Sequence, residues 1–483
     1  MRKPLSTYLI LVIVLIAVSS HAQQNLTLFL MHDVPQANFV NPAIQNRCNW
    51  IVGLPALSSI HGNYNNTAFS PNDILRYDAS VDSSYIDLDK VVDDFNSTEL
   101  LESTIHYTPL YLGLWAKKNY LTFALTEKVT SYNTLSKEAA QLVWFGNTPF
   151  QGQEASLNGI RANGYHLREY AFGLARSISD KLTLGIHAKL LFGKGSMYMP
   201  RTKGGLSTNE RNFNILINLD TQASLSFPID VEIDDEGYVS NISLQDDVDW
   251  MAYMMNRKNM GVGFDFGFIY EYDERTTFSG SLLNIGLIGW KSNVNTFVSD
   301  GTFEFTGTDS STDFNSSDYV QELRDSLQHQ FVPVPESNSY TSRLVPEMYL
   351  GATHTFTDHL NGGAVFYSRV LRNKIQPAFT LSANTYNYKM LNASVSYTAI
   401  NGDYFNIGAG IGLKIGVLHL HAVADNLSGF MKMASQRNLN LRFGLSIVPR
   451  CNEPREKTSK SKNGISALPC YTSPYKEDQK RRK

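Results

Sequence analysis

The sequence predicts an all-β protein: an antiparallel sheet closed into a transmembrane barrel of about 14 strands, with 16 as the alternative. Three observations carry this. Runs of roughly 10–14 residues alternate strictly between apolar and polar positions. The polar positions hold Gly, Ser, Thr, Asn and scattered charges, which suits a wet interior. Short and long connections alternate along the chain, as they do in barrels that thread a bilayer. The chain has 483 residues, 18% charged and 12% aromatic, with a formal net charge of −3. Such balance argues against disorder and against nucleic-acid binding.

Residues 1–22 read as a cleaved secretory signal peptide. Arg2 and Lys3 precede an apolar run from Leu9 to Val18, and Ser20-His21-Ala22 supplies small residues before the cut. The run is too short to cross a ~30 Å hydrocarbon core. An exported chain permits disulfides. Of Cys48, Cys451 and Cys470, the last two lie close in sequence and are expected to pair.

Residues 23–49 are expected to form a periplasmic or plug-like segment. The stretch FLMHDVPQANFVNPAIQNRCNWIVGLPALSSI over 29–60 is partly apolar and precedes the long strands. Within it, Asn41-Pro42-Ala43 is either a plug motif or an ordinary Asn-Pro turn.

The barrel is expected over 50–449. Leu182, Leu184, Ile186, Ala188 and Leu190 oppose Thr183, Gly185, His187 and Lys189. Val262, Phe264, Phe266 and Phe268 oppose Gly263, Asp265 and Gly267. Runs from Leu391, Phe405 and Leu439 repeat the pattern. Period two puts each set on one face of a strand. The same pattern would also suit a soluble antiparallel sheet over a core; strand length, polar-face chemistry and loop alternation favour the barrel.

Tight turns are expected at 117–119, 180–181, 273–275, 357–359, 387–389 and near Gly416, all on the periplasmic side. The loops 63–107, 131–163, 195–259, 291–342, 372–374, 400–402 and 425–438 then fall outside. Residues 213–226 read as one further strand. Counted alone in the wall, this strand makes the total odd, so it is expected as a hairpin arm within the 195–259 loop. Short helices are expected in the outer loops: over 317–331, with Val320, Leu323, Leu327 and Phe331 on one face, and over 85–105, as one or two acidic helices. Residues 450–483 hold ten Lys or Arg against four Asp or Glu and are expected as a basic, flexible periplasmic tail.

The expected inward charges carry both signs: Glu169, Asp265, Glu271 and Asp425 against Lys189, Lys414 and Arg442. His419 and His421 share that face. Mixed signs suit a lumen laced with ion pairs, and hence a narrow or plugged barrel. No nucleophile elbow, zinc-helix motif or phosphate loop occurs, so no catalytic, cofactor or metal residue is named. The acidic stretch 230–249 lacks calcium-loop spacing and reads as a solvated loop.

The element FVNPA resembles the N-terminal motif of FadL-like barrels and of PorP/SprF-type proteins of type IX secretion and gliding. The stretches YAFGLARSISDKLTLGIHAKLLFGKG, MGVGFDFGFIY, LLNIGLIGW, NIGAGIGLKIG and ADNLSG look like a family of uncharacterised Bacteroidota outer-membrane barrels. The mixed-charge lumen, the ordered loops and the periplasmic tail point to a structural or partner-binding barrel, and the resemblance adds a place as an accessory of such machinery. The alternative it implies is a FadL-like passive transporter of small or hydrophobic compounds. Outer-membrane lipid and periplasmic or outer-membrane proteins are the expected partners.

Overall fold

The structure is a computed structural model. It describes residues 25–449, apart from 47, 71, 73–74, 79–82, 213, 236, 306–331, 334–338, 372–373, 386–387, 389, 401–402, 428 and 430–436. The expected signal peptide, the expected 317–331 helix and the expected basic tail therefore lie outside the described residues.

Fourteen antiparallel strands close into one barrel. They are β1 (Trp50–Gly53 continued by Ser59–Asn66), β2 (Thr98–Ala116), β3 (Asn119–Ser136), β4 (Arg161–Ser177) and β5 (Leu182–Thr208). Next come β6 (Asn259–Glu271), β7 (Thr276–Trp290), β8 (Tyr340–Arg343 continued by Glu347–Thr357), β9 (Leu360–Leu371) and β10 (Lys374–Thr385). The last four are β11 (Leu391–Ile400), β12 (Asp403–Ile415), β13 (Leu418–Ala424) and β14 (Asn438–Ile447). Each strand pairs with its neighbours in sequence. Closure comes where β1 meets β14, with Ile60 opposite Phe443 and Val52 opposite Ile447. No sheet edge is left in the wall, which satisfies the backbone as a lipid-facing sheet requires.

The alternation sorts as the period dictates. Leu184, Leu190, Val262, Phe264 and Phe266 are exposed on the outside, while Thr183, His187, Lys189 and Asp265 are buried within. An outer apolar band on a closed barrel is the surface a bilayer covers.

The tight turns after β2, β4, β6, β8 and β12 gather at one end. Lys117 (φ 58°) and Gly416 (φ 61°) take the left-handed backbone that tight turns need. At 272–275 the Asp273 carboxylate accepts from the Arg275 and Thr276 N–H groups at 2.8 and 2.7 Å, an Asx turn. The long loops share the opposite end.

Residues Ile215–Ser226 form a strand that pairs with the upper half of β5 and with Val294–Phe305. It stands above the wall, so the strand count stays at 14. The expected loop start at 195 is corrected: β5 runs to Thr208, because this arm offers its upper half a ladder partner.

Short helices among the described residues include the α-helices α1 (Leu26–Leu30), α2 (Leu88–Asp93), α3 (Lys137–Phe145) and α4 (Trp250–Met254), with 3-10 turns over Pro35–Phe39 and Thr148–Phe150. Ser136 caps α3 by accepting from Ala139 N at 3.3 Å. In the 85–105 stretch only 88–93 is helical. Residues 98–105 join β2, where Thr104 and Ile105 pair with Thr130 and Val129. The acidic composition that suggested helix there was outweighed by ladder pairing on both sides. Helices α2 and α3 pack on each other through Val91, Phe95, Ala140 and Trp144 at the loop end.

The core lies inside the barrel and is built from the N-terminal segment. Leu26, Leu28, Phe29, Leu30, Met31, Val34, Ala37, Val40, Ala43 and Ile44 are buried against Ile269, Leu283, Tyr349, Tyr367 and Val423 of the wall.

Candidate functional site: a plugged lumen

The plug is held by polar contacts at each stage of its path. Asp425, just after β13, accepts from the first amides of α1: Leu26 N at 3.2 Å and Thr27 N at 2.8 Å. A carboxylate there satisfies orphan helix donors and suits the dipole. The Thr27 hydroxyl pairs with Ser396 Oγ at 2.7 Å. Arg442 of β14 donates from Nε to Asn25 Oδ1 at 2.8 Å and from Nη1 to Ser59 Oγ at 3.0 Å. Its guanidinium also lies 5.5 Å from the centroid of the Phe39 ring. Phe29 stacks on Tyr349 at 5.1 Å.

Further along, Gln36 Nε2 donates to Ser446 Oγ at 2.8 Å and to the Ser58 carbonyl at 3.2 Å. Asn38 ties the segment to itself through the Ile44 carbonyl, at 3.0 Å, and its Oδ1 meets His187 Nε2 at 3.0 Å. The Asn41-Pro42-Ala43 element is a turn and a wall contact at once. Asn41 Oδ1 accepts from Ala43 N at 3.0 Å, while its Nδ2 donates to the Phe268 carbonyl at 3.3 Å. Two wall glycines make the close approach possible. A Cβ at Gly185 would lie 2.3 Å from Pro42 carbonyl atoms, and one at Gly267 2.2 Å from Asn41 Oδ1.

Beside the plug, the wall charges alternate in sign over four neighbouring strands. Lys128 (β3) meets Glu169 (β4) at 2.6 Å; Lys189 (β5) lies 3.7 Å from Glu169 and 2.7 Å from Asp265 (β6). Asp265 also takes His187 Nδ1 at 3.2 Å and the Asn284 N–H at 2.8 Å. Asn284 sits at φ 59° in a bulge of β7 opposite Phe264–Phe266, which turns its amide toward Asp265. Higher up, Arg369 (β9) grips Glu102 (β2) with both Nη atoms at 2.7 Å, and its Nε donates to Gln376 at 2.5 Å.

A cavity of about 80 Å³ remains between plug and wall, lined among others by Lys128, Glu169, His187, Lys189, Asp265 and Arg442. A smaller one of about 40 Å³ adjoins it toward the loop end, under Glu102, Arg369 and Glu347. At ~10–15 Å³ of such space per water, the pair has room for a handful of waters.

All nine expected lumen charges carry inward parity. Glu169, Lys189 and Asp265 join in one network; Asp425 and Arg442 hold the plug. His419 and His421 are buried on the inner wall but do not share in the grip of Asp425, whose carboxylate goes to the plug amides. Glu271 and Lys414 sit near the turn end, half-buried. Lys128, Glu102, Arg369, Asn284 and Glu347 were not singled out from sequence. Parity within β3 and β9 could have found Lys128 and Arg369. Nothing local marks Glu102 as the partner of Arg369 across the barrel.

Cys48 is disulfide-bonded. Cys48 packs in one cluster with Val448, where the chain leaves β14. The expected bond between Cys451 and Cys470 lies outside the described residues.

The architecture defines a transmembrane antiparallel β-barrel whose lumen is occupied by its own N-terminal segment. The chain belongs to a family of unknown function (DUF5723), matched over residues 42–425. No curated protein matches it in sequence. Among solved structures it is similar to the Ralstonia pickettii toluene transporter TbuX, with 9% identity, 86% of this chain and 94% of that one covered, and a TM-score of 0.39. The Pseudomonas putida toluene transporter TodX gives 8%, 89%, 97% and 0.36. A Pseudomonas aeruginosa FadL homologue gives 10%, 86%, 93% and 0.38. At these scores the likeness carries no weight on ligand or mechanism.

Proposed function

We propose that this chain resides in the bacterial outer membrane, exported by the signal peptide at 1–22, and serves there as a structural or partner-binding barrel without a catalytic role. One observation carries the reading: residues 26–44 fill the lumen, anchored at α1 by Asp425 and flanked by paired charges. A lumen so filled suits a scaffold that presents its loops, its outer wall and its tail rather than an open pore. A place beside secretion or gliding machinery is the narrower form of this reading, and it rests on the FVNPA resemblance alone. Co-purification from mildly solubilised membranes tests it. Stable protein partners are expected; a chain that emerges alone, and whose deletion leaves secretion unchanged, contradicts it.

The second reading is gated passive transport. It is favoured by the polar chamber beside Asn38, Phe39 and Val40 of the plug, which a shifted plug would enlarge. The chamber at rest is small and lined by charges, which suits small polar solutes better than apolar rings. Liposome uptake by the intact protein, compared between polar and apolar solutes, separates the two. No uptake of either removes transport.

A further inference from the structure

A second site lies outside the barrel, facing the membrane. On β4, Arg168, Tyr170 and Phe172 point outward, and on β5 so do Leu190 and Phe192, by the ladder pairing of Arg168 with Phe192 and Tyr170 with Leu190. Between them, Lys194, Met255 and Arg257 close a recess of about 260 Å³. Its floor is aromatic and aliphatic and its upper rim is cationic.

The rim is built rather than scattered. Arg168 is held by hydrogen bonding to Glu127, which His166 approaches at 3.5 Å. Lys194 is buried and donates from Nζ to the Asn256 carbonyl at 2.9 Å, which leaves further ammonium protons for a ligand. Three cations against one carboxylate leave the rim net positive.

Its height matches a headgroup. Arg168 is nine residues above Ser177 at the turn end of β4. At ~3.3 Å per residue and ~40° of tilt that is roughly 23 Å, near the far edge of a ~25 Å apolar band. Beside it, Trp250 and Met251 of α4 and Met255, its C-cap, are each more than half exposed. Trp at that level is an interfacial anchor.

We propose that this recess binds a phosphorylated glycolipid of the outer leaflet. Its phosphate would lie against Arg168, Lys194 and Arg257, and an acyl chain would run down Tyr170, Phe172 and Leu190. The proposal rests on the barrel's place in the outer membrane with its loop end outward; it does not depend on what the lumen does.

Native mass spectrometry of the full-length protein in detergent tests it, with bisphosphorylated hexa-acyl lipid A, its dephosphorylated form and phosphatidylglycerol as probes. One lipid A per barrel is expected, with affinity at least tenfold lower for the dephosphorylated form and for R257E and K194Q. Arg257 lies in the loop before β6, so R257E should keep the heat-modifiable gel shift of the folded barrel. R201Q, in the upper half of β5 beyond the recess, should bind as the unaltered protein does. Undiminished binding by both R257E and K194Q overturns the proposal. So does equal affinity for phosphatidylglycerol, or an equal loss in R201Q.

Discussion

Arg369 and Glu102 meet across the lumen. Their strands, β9 and β2, stand seven positions apart in a wall of fourteen, yet both guanidinium Nη atoms lie 2.7 Å from carboxylate oxygens. Opposite walls are thus pinned together above the plug. The pair is buried, so each charge relies on the other, and desolvation makes the bond a weak source of net stability but a costly one to break.

Removing one partner should therefore hurt more than removing both. Glu102→Gln is expected to destabilise the barrel by about 3–5 kcal/mol, read as a lower temperature for the heat-modifiable gel shift. The double change E102L with R369M should recover most of the loss. A single variant as stable as the unaltered protein would show that the pair does not bear on the fold.

The plug's seat depends on missing side chains at Gly185 and Gly267. Gly185→Val should push Pro42 off the wall, since even a Cβ there has no room. The barrel wall should still close, because position 185 keeps its ladder partners Ala175 and Gly267. Limited proteolysis in detergent should then cut within residues 30–45 in the variant and spare them in the unaltered protein. Equal protection in both would mean the plug is not seated there.

Cys48 lies in one cluster with Val448, and Val448 N donates to the Val417 carbonyl at 2.6 Å, so the chain departs beside Cys48. Cys451 follows three residues later, within a reach of about 10 Å. Peptide mapping without reduction should join Cys48 to Cys451. A peptide joining Cys451 to Cys470 would contradict this arrangement.

Much of the wall was legible in the sequence because period two is a strong signal when one face meets lipid. From Leu182 and Val262 alone, the inward set Lys189 and Asp265 follows, and a one-residue slip would have reversed it. Sequence separation hid the rest. Asp425 was visible as an inward charge, but its partner amides at Leu26 and Thr27 lie about 400 residues away. Glu102 and Arg369 are 267 positions apart. The outer cationic rim depends on a bulge between His166 and Leu167 that opposes Gly193 and Gly195 and leaves Lys194 between them. Such register shifts leave no pattern in composition.

The central claim is that residues 25–45 close the lumen. Single-channel conductance in planar bilayers tests it most directly, comparing the full-length barrel with a form lacking residues 23–45. The full-length protein should be silent and the shortened form should conduct steadily. Equal conductance from both would contradict a plugged lumen.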